Sequence, residues 1–438
     1  MNIEPWRHRA NRLARLTRQA ASTWGPGTTY PATGILLALM IVGGVVLRIQ
    51  NVGYPFRYGF DESQWVGAAR QFLVGLPDAA ECCHPPLAKF LIGVGMLVFG
   101  DTPMGWRFMP LCLGIQSIVL VFFIASTLFR DRRAGWMAAA FMAGDGFFLA
   151  FSRHAFSEGM MATLVLWSLL AACTARGWGG VLASAMLVGL AASIKWSGVI
   201  VALPVCFAIL WLRRAPWYSV VSFAIVPVVH LAIWMIGLSL IGQPNDPMSV
   251  FSEMRRRQGL HLGFPHGANP AESPWYSWLI IQHPLLLNST YSGSTARLAS
   301  SVGNPLLLIA WDLCLVAMSI AAAAYALRVR RITEWWSRVF DTDANRAQIV
   351  LGAAFVSMMM LWISGRIVSY WYHYLTPWGL ALTLLGGVVS RLDRRYPKSV
   401  LIFVAIVLAV SIYFAPVWAE LPISIPAAHR RLIFSRWR

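Results

Sequence analysis

The feature that most constrains this chain is the repetition of apolar runs about 20 residues long, the length of helix that crosses a hydrocarbon layer about 30 Å thick. Such runs lie at about 32–49, 104–129, 134–150, 155–174, 180–194, 196–213, 217–241, 304–328, 347–364, 368–389 and 399–416. A water-soluble domain does not carry so many, because its surface helices alternate polar and apolar faces. The expectation is an all-α polytopic integral membrane protein with about 11 spans, within a range of about 10 to 12. No fixed-period repeat and no low-complexity tract interrupts it.

Charge then sets the sidedness. The chain is 58% hydrophobic and only 12% charged, with a net charge of +18. That excess does not call for nucleic acid, because the cations sit in short loops between spans, as they do on the cytoplasmic side of membrane proteins. The one doubtful span is 86–100, whose unbroken apolar part runs only from Phe90 to Phe99. If it crossed, every Arg-rich loop (130–133, 213–214, 329–346, 390–398) would lie outside; as an interfacial helix it leaves them all inside. The expected plan is a basic cytoplasmic segment 1–31 and a membrane domain 32–416 with outer loops 50–103 and 242–303. A basic tail, 417–438, follows, and its RRLIFSRWR would end outside. Residues 1–31 carry five arginines and read as a helix against anionic lipid. The run after them lacks a clear cleavage site, so no signal peptide is expected.

Cys112, Cys173, Cys206 and Cys314 lie in apolar runs, where cysteine acts as a small hydrophobe. Cys82 and Cys83 are adjacent, a poor geometry for a mutual disulfide, and no CxxC spacing is present.

The candidate chemistry lies in the outer loops. Asp61 and Glu62 follow the first span within FDESQW; one could act as a general base while the other orients it or helps hold a metal. A carboxylate pair at a partly desolvated membrane surface is more than a solvated loop pair. His84-Pro85-Pro86 makes a rigid approach to the interfacial helix and would present His84 and Lys89 to an anionic headgroup. Snorkelling explains Arg107, Arg153, Lys195 or Arg366 taken singly, but four cations around one acidic loop suit a leaving phosphate. Asp145 and Glu158 read as structural partners of Arg153, and Arg255–Arg257 as a solvated or lipid-facing surface. Trp275, Trp278 and His373 could stack on a sugar or an acceptor, or belong to an interfacial aromatic belt.

In order, these stretches resemble the dolichyl-phosphate-mannose protein O-mannosyltransferase family, within the C-type superfamily of membrane glycosyltransferases. FDE at 60–62 is similar to its first-loop acidic motif, and HPPLAK at 84–89 to its HPPLGK. GDGFFLAFSRHAFSE at 144–158, GLAASIKWSG at 189–198, NPAESPWYSW at 269–278, VGNP at 302–305 and YHYL at 372–375 follow the later motifs. Cys82, Glu158 and Asn269 depart from the family pattern, and the MIR domain of its eukaryotic members is not seen.

The resemblance implies a C-type fold with interfacial helices in the first outer loop. It also implies an enzyme that moves mannose from a polyprenyl phosphate to a protein Ser or Thr hydroxyl with inversion. Asp61 would accept the hydroxyl proton with Glu62 in support, and Arg107, Arg153 and Lys195, with Lys89 and His84, would meet the donor phosphate. Transfer to a lipid or glycan, as in the aminoarabinose transferases, is the near alternative, and a lipid-linked sugar flippase the distant one. Asp61 and Glu62 alone leave a divalent metal open, and the oligomeric state is not addressed by any motif.

Overall fold

The computed structural model describes residues 27–81, 83–174, 177–212, 217–263, 265–267, 269–364 and 368–432. The N-terminal arginines, Arg366 and Cys82 lie outside the described residues. Among those described, nine helices are long and apolar enough to cross a membrane, from Pro31–Ile49 and Pro103–Phe129 through to Trp371–Arg395 and Pro397–Trp418. The chain is a multi-pass membrane protein.

The expected span 134–150 is instead two helices, Arg132–Ala143 and Gly146–Ser152, bent by 64°. Counted as one, the pair brings the total to ten. The remaining expected crossing, 196–213, is a six-residue 3-10 turn, Trp196–Val201, running into the 11-residue helix Ala202–Leu212. Residues 86–100 form the 13-residue helix Leu87–Phe99, below spanning length, packed beside Glu62–Leu73 and Pro103–Phe129.

The bend has an identifiable cause. Asp145 leaves the helical conformation and accepts from the Phe148 N–H to start the second helix. This frees carbonyls at the end of the first helix, and a backbone group in a hydrocarbon setting must be paired. Arg48, fully buried in the first span, supplies the donors: its guanidinium reaches the carbonyls of Met142, Ala143 and Gly44, each at 3.0 Å. The other Asp145 oxygen accepts from the Asn304 N–H, so the 144–158 and 302–305 motifs meet at this joint.

The bundle has two chemically distinct ends. At one, Arg391 and Arg394 pair with Asp131, Arg133 and Thr29 with Asp393, and Arg130 with Asp343. Helix Trp371–Arg395, buried along nearly all its length, runs down the centre from the opposite end. It lies close enough to Arg132–Ala143 that a Cβ on Gly386 would fall 2.4 Å from the Ala138 nitrogen.

A three-stranded antiparallel sheet adds to the helical reading. Leu286–Ser292 (β1) and Thr295–Ser300 (β2) form a hairpin, and Ile423–Ser424 (β3) pairs with β2 at Thr295 and Ala296. The hairpin turns at Gly293, whose φ of 54° suits glycine. The Phe60 N–H donates to the Leu287 carbonyl at 2.7 Å, tying the first outer loop to β1.

Replacing Arg48 by Met would orphan the Met142 and Ala143 carbonyls. Each unmet buried acceptor costs about 1–3 kcal/mol, so Arg48→Met is expected to lower the unfolding temperature in detergent. An unchanged temperature would show that the joint does not need the guanidinium.

Candidate active site

The loop before Asp61 is held from below by Arg107, whose guanidinium reaches the carbonyls of Val52, Pro55 and Arg57 at 3.3, 3.2 and 3.0 Å. The same group makes a two-pronged contact to Glu62, at 2.8 and 2.7 Å. Glu62 also accepts from the N–H groups of Gly59 and Ala155, each at 2.7 Å, and is fully buried. Burial alone would raise its pKa, but Arg107 and these donors outweigh that and hold it at about 2.

Neither residue of this pair lines the cavity that follows, which corrects two expectations. Glu62 has no acceptor left for a substrate, and Arg107 is spent on Glu62 and three carbonyls. Glu62 instead fixes backbone on either side of it, at Gly59 and Ala155, next to Asp61.

Asp61 stands at the start of helix Glu62–Leu73 without capping it. Among the described residues its carboxylate takes no hydrogen bond, and it faces a cavity of about 370 Å³. Burial, with the Glu158 carboxylate adding and Lys195 opposing, pushes its pKa up to about 6. A carboxylate poised there accepts a proton at neutral pH more readily than an ordinary Asp.

Opposite Asp61 the cavity is lined by Lys195, Glu158, His84, His261 and His373. Lys195 pairs with Glu158 and lies 5.0 Å above the Tyr372 ring. His84 is fixed through Nδ1 by Glu81 at 2.7 Å, while its buried Nε2 takes no partner among the described residues. Burial would raise the Glu81 pKa, but Lys89 and His84 keep it well below the usual range. His261, on the helix Pro247–Leu262, lies with its ring centroid 4.9 Å from that of His84. Its burial, with His84 and Lys195 nearby, lowers its pKa to about 3, so it is neutral in ordinary buffers. His373 accepts from the Tyr370 N–H and stacks on Trp362 at 3.9 Å.

The other expected phosphate ligands are placed elsewhere. Arg153 is engaged by the carbonyls of Leu47, Arg48, Gln50 and Asn51, and its ion pair is with Glu420 at 3.8 Å rather than with Asp145 or Glu158. Lys89 is fully buried against Asp78, Glu81 and the His84 carbonyl, so it braces the HPP turn from behind. Trp278 is fully buried, its indole N–H on Ser273. Trp275 lines another groove, which shares Asn269 with the cavity. Arg257 is not on the surface; it bridges Asp78 and Glu253.

A second, largely apolar groove of about 220 Å³ shares His84, Lys195, His261 and His373 with the main cavity. It continues past Val199, Ile200, Leu262 and Leu361. The cations and imidazoles thus mark the seam between a polar chamber and an apolar one. Among the described residues, no group of three or more His, Cys, Asp or Glu side chains is set to hold a metal ion.

The sequence missed His261, which sits in no motif and is delivered by the fold of the second loop. It also missed Tyr370 and Tyr372 as walls, although Tyr372 opens the YHYL stretch and Tyr370 lies two residues before it.

With this geometry in view, comparison with solved proteins is informative. The chain matches a structure of the S. cerevisiae protein O-mannosyltransferase Pmt1-Pmt2 complex bound to the sugar donor with a TM-score of 0.70. The match covers 96% of this chain and 94% of that one at 13% identity. The chain shares the fold of the C-type membrane glycosyltransferases. ArnT from Cupriavidus metallidurans gives a TM-score of 0.56 over 90% of this chain and 67% of its own, at 16% identity.

Residues 83–239 match the family described as dolichyl-phosphate-mannose-protein mannosyltransferase, bearing out the resemblance read from the motifs. The polyprenol-phosphate-mannose–protein mannosyltransferase of Mycobacterium tuberculosis is 28% identical over 199 residues, which are 38% of each chain. That of Mycolicibacterium smegmatis is 28% identical over 209 residues, 39% of each. The chain therefore matches well under half the length of these curated relatives.

Breaking a buried ion pair from one side costs about 3–5 kcal/mol, and Glu62→Gln or Arg107→Met is expected to destabilise by that order in thermal unfolding. Because the folded pKa of Glu62 lies at about 2, below its ordinary 4.5, its contribution is full above 4.5 and lost as pH falls through about 2. Retention of wild-type stability in both variants would remove Glu62 as the organiser of the site.

Proposed function

We propose that this chain is a polyprenyl-phosphate-sugar-dependent glycosyltransferase that moves mannose to a Ser or Thr hydroxyl of a protein acceptor, with inversion. The observation that carries it is the seam: a free carboxylate of raised pKa faces Lys195 and a histidine cluster that also closes an apolar groove. A lipid-linked sugar phosphate has this same order of parts. Its tail fits the groove past Ile200 and Leu361, its phosphate meets Lys195, and its sugar enters the chamber before Asp61. The family match and the names of the relatives support the same donor class.

The chemistry is a single displacement. The acceptor hydroxyl attacks the anomeric carbon and gives its proton to Asp61. The bond from that carbon to the phosphate oxygen breaks, its electron pair leaving with the polyprenyl phosphate. Lys195 offsets the charge that builds there, held in orientation by Glu158, and the His84 Nε2 faces the same region. Attack from the face opposite the phosphate inverts the anomeric centre. Desolvation by Phe60, Phe151 and Phe156 raises the Asp61 pKa and strengthens each of these interactions.

The membrane placement belongs to the same proposal. The Arg-rich end, with Arg130, Arg133 and Arg391, is cytoplasmic, and the cavity opens at the outer face of the plasma membrane. The carboxylates of the cavity, Asp61, Glu81 and Glu158, lie at that outer end, which favours transfer over translocation, since transporters place their charge near the midplane.

Asp61→Asn is nearly isosteric and cannot accept the proton. It is expected to lower kcat by roughly 10²- to 10⁴-fold while still binding labelled polyprenyl-phosphate mannose. Full transfer by this variant would sink the assignment.

The protonated form of Asp61 is inactive as a base. In wild type, transfer should therefore rise with pH through about 6 and level off above it, a limb read from kcat across a buffer series. A flat profile between pH 5 and 8 would exclude Asp61 as the titrating base.

A further inference from the structure

A third depression, of about 480 Å³, meets the main cavity at Asn269 and is lined by His266, Glu272, Trp275, Tyr276 and Ser369. Its floor is a short strand-like ladder. The Ser273 N–H donates to the Ser369 carbonyl and the Ser369 hydroxyl to the Ser273 carbonyl, both at 2.8 Å, beside an antiparallel bridge between Glu272 and Tyr370. Both Glu272 oxygens are fixed, one by His266 Nδ1 at 2.8 Å and the other by the Gly267 N–H at 2.6 Å. Trp275 and Tyr276 stand edge to face, 6.0 Å apart, and Tyr276 is 62% exposed.

The junction with the chamber is equally defined. Tyr370 and Asn269 both line the cavity that holds Asp61. On its other side the groove touches Trp362, whose far face belongs to the apolar groove. Two grooves thus open from one chamber, and this one carries the Glu272 carboxylate and the half-open pair Trp275 and Tyr276 on its rim.

We propose that this groove holds the acceptor as an extended polypeptide lying across Trp275 and Tyr276, its hydroxyl passing Asn269 and Tyr370 to reach Asp61. The inference rests on the transferase reading above and adds the place and form of the acceptor. A lipid acceptor would need an apolar lane, and the apolar residues Val199, Ile200, Leu262 and Leu361 all line the other arm. Trp and Tyr give a peptide large contact area at low conformational cost. The oriented Glu272 carboxylate adds an acceptor for peptide N–H groups at the rim.

The test uses the full-length protein in lipid nanodiscs, radiolabelled polyprenyl-phosphate mannose and a synthetic Ser/Thr-containing peptide. Tyr276→Ala and Trp275→Ala are expected to raise the peptide KM on the order of tenfold each, the equivalent of about 1.4 kcal/mol. The donor KM should stay within about twofold of wild type. Tyr276 is exposed enough that its truncation does not threaten folding. An unchanged peptide KM, or a donor KM rising in parallel, overturns the groove as the acceptor site. Labelling of a lipid or an oligosaccharide in place of the peptide overturns the polypeptide. Wild-type protein that binds donor yet transfers sugar to nothing, water included, defeats the transferase reading itself, and the groove falls with it.

Discussion

The site depends on one buried ion pair. Glu62 and Arg107 are both fully buried, and neither would tolerate that burial alone. Together they join three parts of the chain: the loop 52–62, the helix Pro103–Phe129 and the backbone at Ala155. Asp61, next in sequence to Glu62, inherits a fixed position while keeping its own carboxylate free. Adjacent residues in FDE thus divide the work, with the second carboxylate giving up all its acceptor capacity so that the first keeps its own.

The same economy governs the other buried cations. A chain with so few charges might be expected to aim each at a ligand, yet Arg48, Arg107 and Arg153 mostly hold backbone carbonyls. The reason is the solvent. Where spans bend or end short of water, the freed carbonyls have no other donors, and a guanidinium with five N–H groups serves several at once. Lysine, with a single compact head, is placed against carboxylates: Lys195 against Glu158 at the cavity wall, Lys89 against Asp78 and Glu81 behind the HPP turn.

This division explains what could be read from the sequence. The apolar runs gave the helical membrane body, and the brevity of Phe90–Phe99 gave a helix below spanning length. Asp61, His84, Lys195 and His373 were legible because short motifs carry them into the cavity. The roles of Arg107, Arg153, Lys89 and Glu62 were not, because a cation or carboxylate on a motif looks alike whether it meets a phosphate or a peptide carbonyl. His261 was invisible for another reason: it has no local pattern and reaches His84 only through the packing of Pro247–Leu262. The hairpin at Leu286–Ser300 was hidden in a loop whose Ser-Gly-Ser turn is too short a signal beside so many apolar runs.

The sheet has a consequence for biogenesis. Phe60 is tied to β1, β1 to β2, and β2 to Ile423–Ser424, while Glu420 reaches back to the Asn288 side chain. The segment that completes this lattice leaves the ribosome only after the helix Pro397–Trp418. During synthesis, the loop bearing Asp61 therefore waits for nearly every later helix to enter the bilayer before its scaffold closes. A chain inserted as far as His373 would hold the lining of both the chamber and the apolar groove, while the lattice that fixes Phe60 beside Asp61 would still be open.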